Sequence, residues 1–404
     1  MPAVISRCAE CVALVILSGL LLAGCPLPVG DSLLTEEEHQ VSNPWILDVQ
    51  GPYGIMIQQA AGGGYVVAGT GFVVKTDSGG GALWSRMLDG AIHITAMDPT
   101  TDGGCVLGTS QGSPSTMSLI KLDESGKTSW TRLYSSSEDT RGSAGGVCQT
   151  SDGGYITVGN TRGNSDRQYV FIVKADADGN PMWSKTPGVG LLYSWNYAQA
   201  VVEAEDGGYV IAGTSLSNSL FPVVTGSWLL KMRIDGVRVW HRRFAADILS
   251  LDVPAGLFRA SDGGFLMASK VSHLAPGWEG MPYAQSVEFR LRRANSRGNL
   301  LWNRVCDVLP VAICHAPDGG FLLVGNEHGH HASGGDTIRV VKTDDEGQAV
   351  WVKSLWSDTY DLTAAAVETA GDGGYVIAGK AAVPDSQGYS NLCLVRMDAD
   401  GNPL

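Results

Sequence analysis

Short apolar runs, cut at close intervals by Gly, Asp and Asn, fill the chain from about residue 44 to its end. Runs such as Val170-Phe171-Ile172-Val173 and Trp228-Leu229-Leu230 are apolar at successive positions. That is the pattern of a strand covered on both faces rather than on one. The breaks are themselves regular. Gly-Gly followed by an aromatic or apolar residue recurs at Gly63-Gly64-Tyr65, Gly103-Gly104-Cys105, Gly153-Gly154-Tyr155, Gly207-Gly208-Tyr209, Gly263-Gly264-Phe265, Gly319-Gly320-Phe321 and Gly373-Gly374-Tyr375. Every copy but the first, which has Gly62, places Asp just before the pair.

A second anchor has fixed spacing. Lys75, Lys121, Lys174, Lys231, Arg293 and Lys342 are each followed nine residues later by a tryptophan: Trp84, Trp130, Trp183, Trp240, Trp302 and Trp351. Arg396 is the seventh basic residue, and its tryptophan would fall one position beyond Leu404. Internal repeats of about this period are the signature of stacked or ring-shaped β architectures. In the fourth copy the pattern predicts strands over Ala198–Ala204, Tyr209–Gly213, Ser227–Met232 and Val237–Phe244. Asp-Gly turns join them, because Gly accepts positive φ and Asp tolerates it. A single four-stranded sheet cannot cover both of its own faces, so the copies must pack on one another.

The two ends complement each other. The last copy stops at Gly401-Asn402-Pro403-Leu404, before its tryptophan strand, while Trp45-Ile46-Leu47-Asp48-Val49 is a tryptophan strand with no copy in front of it. Joining them completes a seventh unit and removes two exposed sheet edges. The expected fold is therefore all-β: a seven-bladed β-propeller of four-stranded antiparallel blades over residues 44–404, closed by the N-terminal strand.

Residues Cys11 to Ala23 form an uncharged apolar run behind Arg7, too short to span a bilayer comfortably. Its ending, Leu22-Ala23-Gly24-Cys25, resembles a bacterial lipobox. That resemblance implies a signal peptide over 1–24, a lipid on Cys25 and anchorage to the cell envelope; the protein is expected to be a monomer. Pro26 after Cys25 implies the outer membrane in a cell with two membranes and the cell surface otherwise. Residues 25–43, with Pro26, Pro28 and the run Glu36-Glu37-Glu38, read as a flexible tether.

The Lys-x-Asp-x-x-Gly-x-x-x-Trp element, as in Lys121 to Trp130, resembles the tryptophan-docking motif of quinoprotein-like propellers. The phrase Asp206-Gly-Gly-Tyr-Val-Ile-Ala-Gly-Thr214 resembles repeats of bacterial and archaeal surface propellers of uncharacterised function. Some quinoproteins of that broad group hold pyrroloquinoline quinone with calcium beneath a pair of adjacent cysteines. This chain has no Cys-Cys pair and seven units rather than their usual eight, so the expectation is no cofactor and no dehydrogenase activity.

Charged residues are sparse at 17%, and the net charge of −13 disfavours nucleic-acid partners. Arg290, Arg292 and Arg293 alternate along a predicted strand and read as a solvated face. The long, unlike loops should gather on one face of the ring, opposite the tight turns, and carry Asp139, Arg141, Tyr193, Trp195, Tyr197, Trp278, Tyr283, Trp356, Tyr360 and Asp361. Aromatics there suit a protein or glycan partner, or else pack over the core. His328, His330 and His331 are the candidate metal ligands, although no spacing fixes a coordination geometry. Asp176 to Asn180 and Asp398 to Asn402 resemble calcium loops but lack the downstream Glu, which leaves a hairpin turn as the plainer reading. Of the cysteines beyond Cys25, Cys105, Cys148, Cys314 and Cys393 fall in strands as core thiols, and Cys306 with Cys314 is the one pair near enough to suggest a bridge. The function this supports is a non-enzymatic binding or scaffold module for a protein or glycan. A polysaccharide hydrolase using Asp139, Glu203, Asp358 or Asp361 is the alternative.

Overall fold

The computed structural model describes residues 36–50, 53–88, 92–111, 116–136, 142–162, 168–189, 194–217, 225–245, 250–260, 262–275, 283–306, 310–327, 336–383 and 390–404. Two strands, β1 (Glu36–Gln40) and β2 (Trp45–Gln50), precede the repeats. Blade one holds β3 (Met56–Gln59), β4 (Tyr65–Gly69), β5 (Phe72–Thr76) and β6 (Ala82–Met87). Blade two holds β7 (His93–Pro99), β8 (Cys105–Gln111), β9 (Thr116–Leu122) and β10 (Thr128–Tyr134). Blade three holds β11 (Gly142–Gln149), β12 (Tyr155–Arg162), β13 (Gln168–Ala175) and β14 (Pro181–Lys185). Blade four holds β15 (Ser194–Glu203), β16 (Tyr209–Ser217), β17 (Thr225–Met232) and β18 (Arg238–Ala245). Blade five holds β19 (Ser250–Arg259), β20 (Phe265–Ala275), β21 (Tyr283–Ala294) and β22 (Leu300–Cys306). Blade six holds β23 (Pro310–His315), β24 (Phe321–Glu327), β25 (Thr337–Thr343) and β26 (Ala349–Trp356). Blade seven holds β27 (Asp361–Thr369), β28 (Tyr375–Ala382) and β29 (Ser390–Met397), with β2 as its outer strand. The fold is a seven-bladed β-propeller.

Closure occurs where the sequence placed it. Strand β2 pairs antiparallel with β29, with Trp45 opposite Leu394 and Ile46 opposite Cys393. The other six tryptophans sit opposite their basic residue, as Trp84 does with Lys75. Trp45 stands two residues further along, because Pro403 and Leu404 fill the vacated start of the strand. Pro403 bridges to Met397, and the Leu404 N–H donates to the Arg396 carbonyl at 2.9 Å.

Among the described residues the core forms seven apolar clusters, each between two neighbouring sheets. One of them joins Leu47 and Val49 of β2 and Leu392 and Leu394 of blade seven to Ile57, Val67 and Val74 of blade one. It closes the ring with the same kind of contact that joins any other pair of blades, such as Ile156, Val158, Ile211 and Leu230 between blades three and four.

The repeated tryptophans join the blades around the outside. Each ring lies on the turn glycine of the next blade: Trp84 on Gly126, Trp130 on Gly179, Trp183 on Gly236, Trp240 on Gly298, Trp302 on Gly347, Trp351 on Gly401, and Trp45 on Gly80. These glycines have φ between 75° (Gly347) and 81° (Gly401), and the ring occupies the space a Cβ would need. Only Gly meets both demands. A bulge at the last turn of blades one to six, such as that between Thr128 and Trp130, re-aims the strand just before the tryptophan. The docked rings are half-buried, so Trp240→Ala is expected to cost about 2–3 kcal/mol, below the range for a fully buried aromatic. Urea unfolding measures it.

The basic anchor and the turn aspartate prove to be partners. Lys121 pairs with Asp102 at 2.8 Å, Lys174 with Asp152 at 2.9 Å and Lys342 with Asp318 at 3.1 Å. Lys231–Asp206, Arg293–Asp262 and Arg396–Asp372 follow the same plan. In the first copy, where Gly62 replaces the aspartate, Lys75 donates to the Gly103 carbonyl of the next blade at 2.8 Å.

Two expectations change and one holds. Part of the segment read as tether is a strand: β1 runs parallel to β26 on the outer edge of blade six, with Glu36 opposite Val352 and Gln40 opposite Trp356. Lys353 ties it down, reaching Glu37 at 3.3 Å and Asn402 of blade seven at 2.6 Å, while Val41 is buried. The Arg290, Arg292 and Arg293 stretch is no solvated face. Arg292 and Arg293 are buried and paired with Asp252 and Asp262, and Arg290 pairs with Glu288. The Asp176 and Asp398 segments are hairpin turns: Asp176 Oδ1 accepts the N–H groups of Asp178 and Asn180 at 3.0 and 2.8 Å, and Asp398 accepts that of Asn402 at 2.8 Å.

Candidate functional site

The first strand of every blade lines a central channel of about 710 Å³, within the range of small-molecule sites. Six of these strands carry a mid-strand bulge, which leaves Thr95, Gly145, Gln199, Ala255, Val311 and Ala365 outside the pairing register and on the channel wall. Beyond the bulge, small residues such as Ala96, Gly146, Ala200 and Gly256 keep the bore open.

Chemistry concentrates nearer the tight-turn face, at the position four residues before the turn aspartate. The ring there reads Gln58, Asp98, Cys148, Val202, Phe258, Cys314 and Glu368 from blade one to blade seven. Asp98 and Glu368 flank Gln58, and all three line a pocket of about 410 Å³ at the channel mouth. Val202 and Phe258, on blades four and five, form the opposite, apolar arc.

Asp98 Oδ2 accepts the Gln149 N–H at 2.6 Å. The Gln58 amide, oriented to satisfy both neighbours, donates to Asp98 Oδ1 and to the Met97 carbonyl at 3.2 Å each. Glu368 Oε1 accepts the N–H and the hydroxyl of Thr369 at 2.8 and 2.9 Å. Burial pushes the Asp98 carboxyl up to about 7 against the pull of the Gln149 N–H, and the nearby charge of Glu368 adds to the rise. Burial raises Glu368 as well. The neighbouring thiols are held protonated, Cys148 by burial that lifts it to about 12 and Cys314 by burial too.

The turn aspartates behave in the opposite way. Burial opposes the charged forms of Asp102, Asp152 and Asp206, yet hydrogen bonds from their lysines and turn N–H groups outweigh it and lower all three. For Asp262 the Gly264 N–H, and for Asp372 the Arg396 guanidinium, is the largest influence, again lowering the carboxyl.

These shifts set the sign of the pH dependence. A lowered carboxyl contributes stability above its unfolded pKa and loses it as pH falls. A raised one contributes stability below its unfolded value and loses it as pH climbs toward its folded value. The melting temperature is therefore expected to rise from pH 3 to about 5, then to decline toward pH 8 as Asp98, held up to about 7, ionises, with Glu368 shifted in the same direction. Asp98→Asn should flatten the decline. An unchanged slope above pH 5 in that variant, read by scanning calorimetry, contradicts the assignment.

No protein-family model and no curated protein matches this chain. Solved structures do. The WD40 domain of Pan2 from Neurospora crassa aligns with a TM-score of 0.50 at 9% identity, over 85% of this chain and 88% of that one. A protein of unknown function from Dyadobacter fermentans aligns with a TM-score of 0.48 at 14% identity, over 89% and 98%. An α-L-arabinofuranosidase of Fusarium graminearum aligns with a TM-score of 0.46 at 10% identity, over 76% and 93%. At such identities the likeness concerns the fold. Both enzymes and non-enzymes are among these structures, so they leave open whether this chain catalyses a reaction.

The residues expected on the loop face are scattered in role. Trp195 and Tyr197 lie in β15, half-buried, and burial raises the Tyr197 hydroxyl to about 12. Trp356 ends β26 opposite Gln40, and Tyr360 packs against the cluster between blades six and seven. Asp361 opens β27, and Tyr283 opens β21 opposite Ala275. Cys25, Asp139, Arg141, Tyr193, Trp278, His328, His330 and His331 lie outside the described residues. Two of the carboxylates considered for hydrolysis serve the scaffold: Glu203 holds the N–H and hydroxyl of Ser151 at 2.8 Å each, and Asp358 accepts from Gln40 at 2.7 Å. Cys306 and Cys314 are not bonded to each other.

Asp98 and Glu368 went unnoticed in the sequence because their position reads as core. The available signal was the aligned column itself, in which two carboxylates share a place with Cys, Val and Phe.

Proposed function

We propose that this chain is a lipid-anchored, non-enzymatic binding module of the cell envelope, with the mouth of its central channel as the ligand site. The observation that carries the reading is the Asp98–Glu368 pair. The turn aspartates are neutralised by basic residues of the scaffold, whereas these two carboxylates line the channel mouth with no Lys or Arg paired to them among the described residues. Asp98 holds the Gln149 N–H of the next blade, a bond a neutral side chain could accept as well, whereas burying two carboxyls without a cation costs stability. The Leu22-Ala23-Gly24-Cys25 ending supports attachment through Cys25, at the outer membrane where a second membrane exists. A protein or glycan partner on the loop face has weaker support, since Tyr360 and the edge beside Trp356 are occupied by the chain itself.

A polysaccharide hydrolase is the second reading, favoured by one observation: a carboxyl held near neutrality beside a second one is the equipment of general acid catalysis. The test separates the two. A thermal-shift screen of small molecules by chemical class should raise the melting temperature of the wild type and not of the Asp98→Asn, Glu368→Gln double variant, with soluble-polysaccharide turnover at background. Turnover that disappears in either single variant installs the hydrolase. Cys25→Ser is expected to move the protein from the membrane to the soluble fraction, and its persistence in the membrane fraction refutes the anchor.

A further inference from the structure

Resting on that reading, the geometry points to the class of ligand: an organic ammonium or amidinium cation carrying an apolar body. The cationic head would lie between Asp98 and Glu368, and the body would turn toward Val202 and Phe258.

Four features of the channel select this chemistry. First, the mouth is rich in acceptors. Asp98 and Glu368 bring carboxylate oxygens, and Gln199 further along the wall has a side-chain Oε1 with no hydrogen-bond partner. The Gln58 amide nitrogen is already engaged with Asp98 and Met97, so the missing N–H groups must come from the ligand.

Second, once ionised, Asp98 and Glu368 have no basic side chain paired with them among the described residues, where compensation is otherwise the rule. Lys121, Lys174, Lys231, Arg293, Lys342 and Arg396 each neutralise a turn carboxylate within their own blade. A mobile cation would do for Asp98 and Glu368 what those side chains do for the turns. In a channel walled by apolar sheets that attraction is far stronger than in open water.

Third, the carboxylates stand on blades two and seven with blade one's Gln58 between them. Among the described residues no three His, Cys, Asp or Glu side chains cluster closely enough to hold a metal ion. A head group with several N–H donors spans such a gap, whereas a bare divalent ion needs its oxygens gathered within one coordination sphere. Fourth, the far arc is apolar, so a ligand with charge at one end only fits both walls.

Isothermal titration of the full-length protein with benzylammonium, against its neutral analogue benzyl alcohol, glucose and calcium chloride, decides the matter. Benzylammonium should bind, and Asp98→Asn and Glu368→Gln should each weaken it about tenfold, an energy of about 1.4 kcal/mol. Neither substitution removes apolar volume, and circular dichroism would confirm that both variants fold. Equal affinity for benzyl alcohol, or undiminished benzylammonium binding in the double variant, overturns the inference. So does binding of calcium or glucose alone, though a glucose signal lost in the double variant would leave the channel-mouth binding module standing. Failure of every small-molecule class to bind would sink both.

Discussion

Replacing Arg292 with alanine is expected to destabilise the protein by about 3–5 kcal/mol, among the largest effects of any single substitution. The guanidinium lies between blades four and five, where the other repeats have Val74, Ile120, Val173, Leu230, Val341 and Val395. It donates to Asp252 Oδ2 at 2.7 Å and Oδ1 at 3.2 Å, to Ser269 at 2.9 Å and to Ser227 at 3.2 Å. Ser227 also donates to Asp252 at 2.9 Å, and the Asp252 N–H reaches Thr225 at 3.1 Å. Arg292 and Asp252 are both buried, so removing one strands the other's charge away from water. Urea unfolding should show Arg292→Ala and Asp252→Ala falling by similar amounts, and the double variant losing far less than their sum. Strict additivity would mean that the pair is not coupled.

Removing residues 36–50 is expected to have the other large effect. The deletion takes β1 and β2 together and with them the buried Val41, Leu47 and Val49 and the docked Trp45. At the usual value for burying such side chains this is about 5 kcal/mol or more. It also bares the edge of β29, an invitation to intermolecular pairing. The shortened protein should melt well below the parent and aggregate, and a synthetic peptide of residues 36–50 added in trans should restore part of the loss. An unchanged melting temperature would show that the seventh blade stands without its outer strand.

The ring was legible because it is built from turns, and turns have strict chemistry. Gly-Gly marks every blade, with Asp before it in all but the first, the spaced tryptophan marks six, and the unmatched ends at Trp45 and Leu404 announce the closure. The purpose of the basic anchor was not legible, since a lysine nine residues from a tryptophan says nothing of the aspartate it meets across the sheet. Strand β1 escaped for a related reason. Glu36-Glu37-Glu38-His39-Gln40 has no apolar face, and a strand added to an open edge is held by backbone pairing and by charges such as Lys353. Arg292 was misplaced because alternation along a strand identifies a face without saying whether that face meets water or another sheet. Blade five turns its charge inward. The channel pair was hidden by the same ambiguity, as a position that is core in one blade is channel wall in the next.

The channel exists only if the ring is closed, and one bond tests that directly. Ile46 lies opposite Cys393 across the pairing of β2 with β29, and directly opposed residues of antiparallel strands stand within disulfide reach. In an Ile46→Cys variant under mild oxidation, peptide mapping should find residues 46 and 393 joined within a single chain. Absence of that link, or its appearance only between chains, would contradict the closed seven-bladed ring.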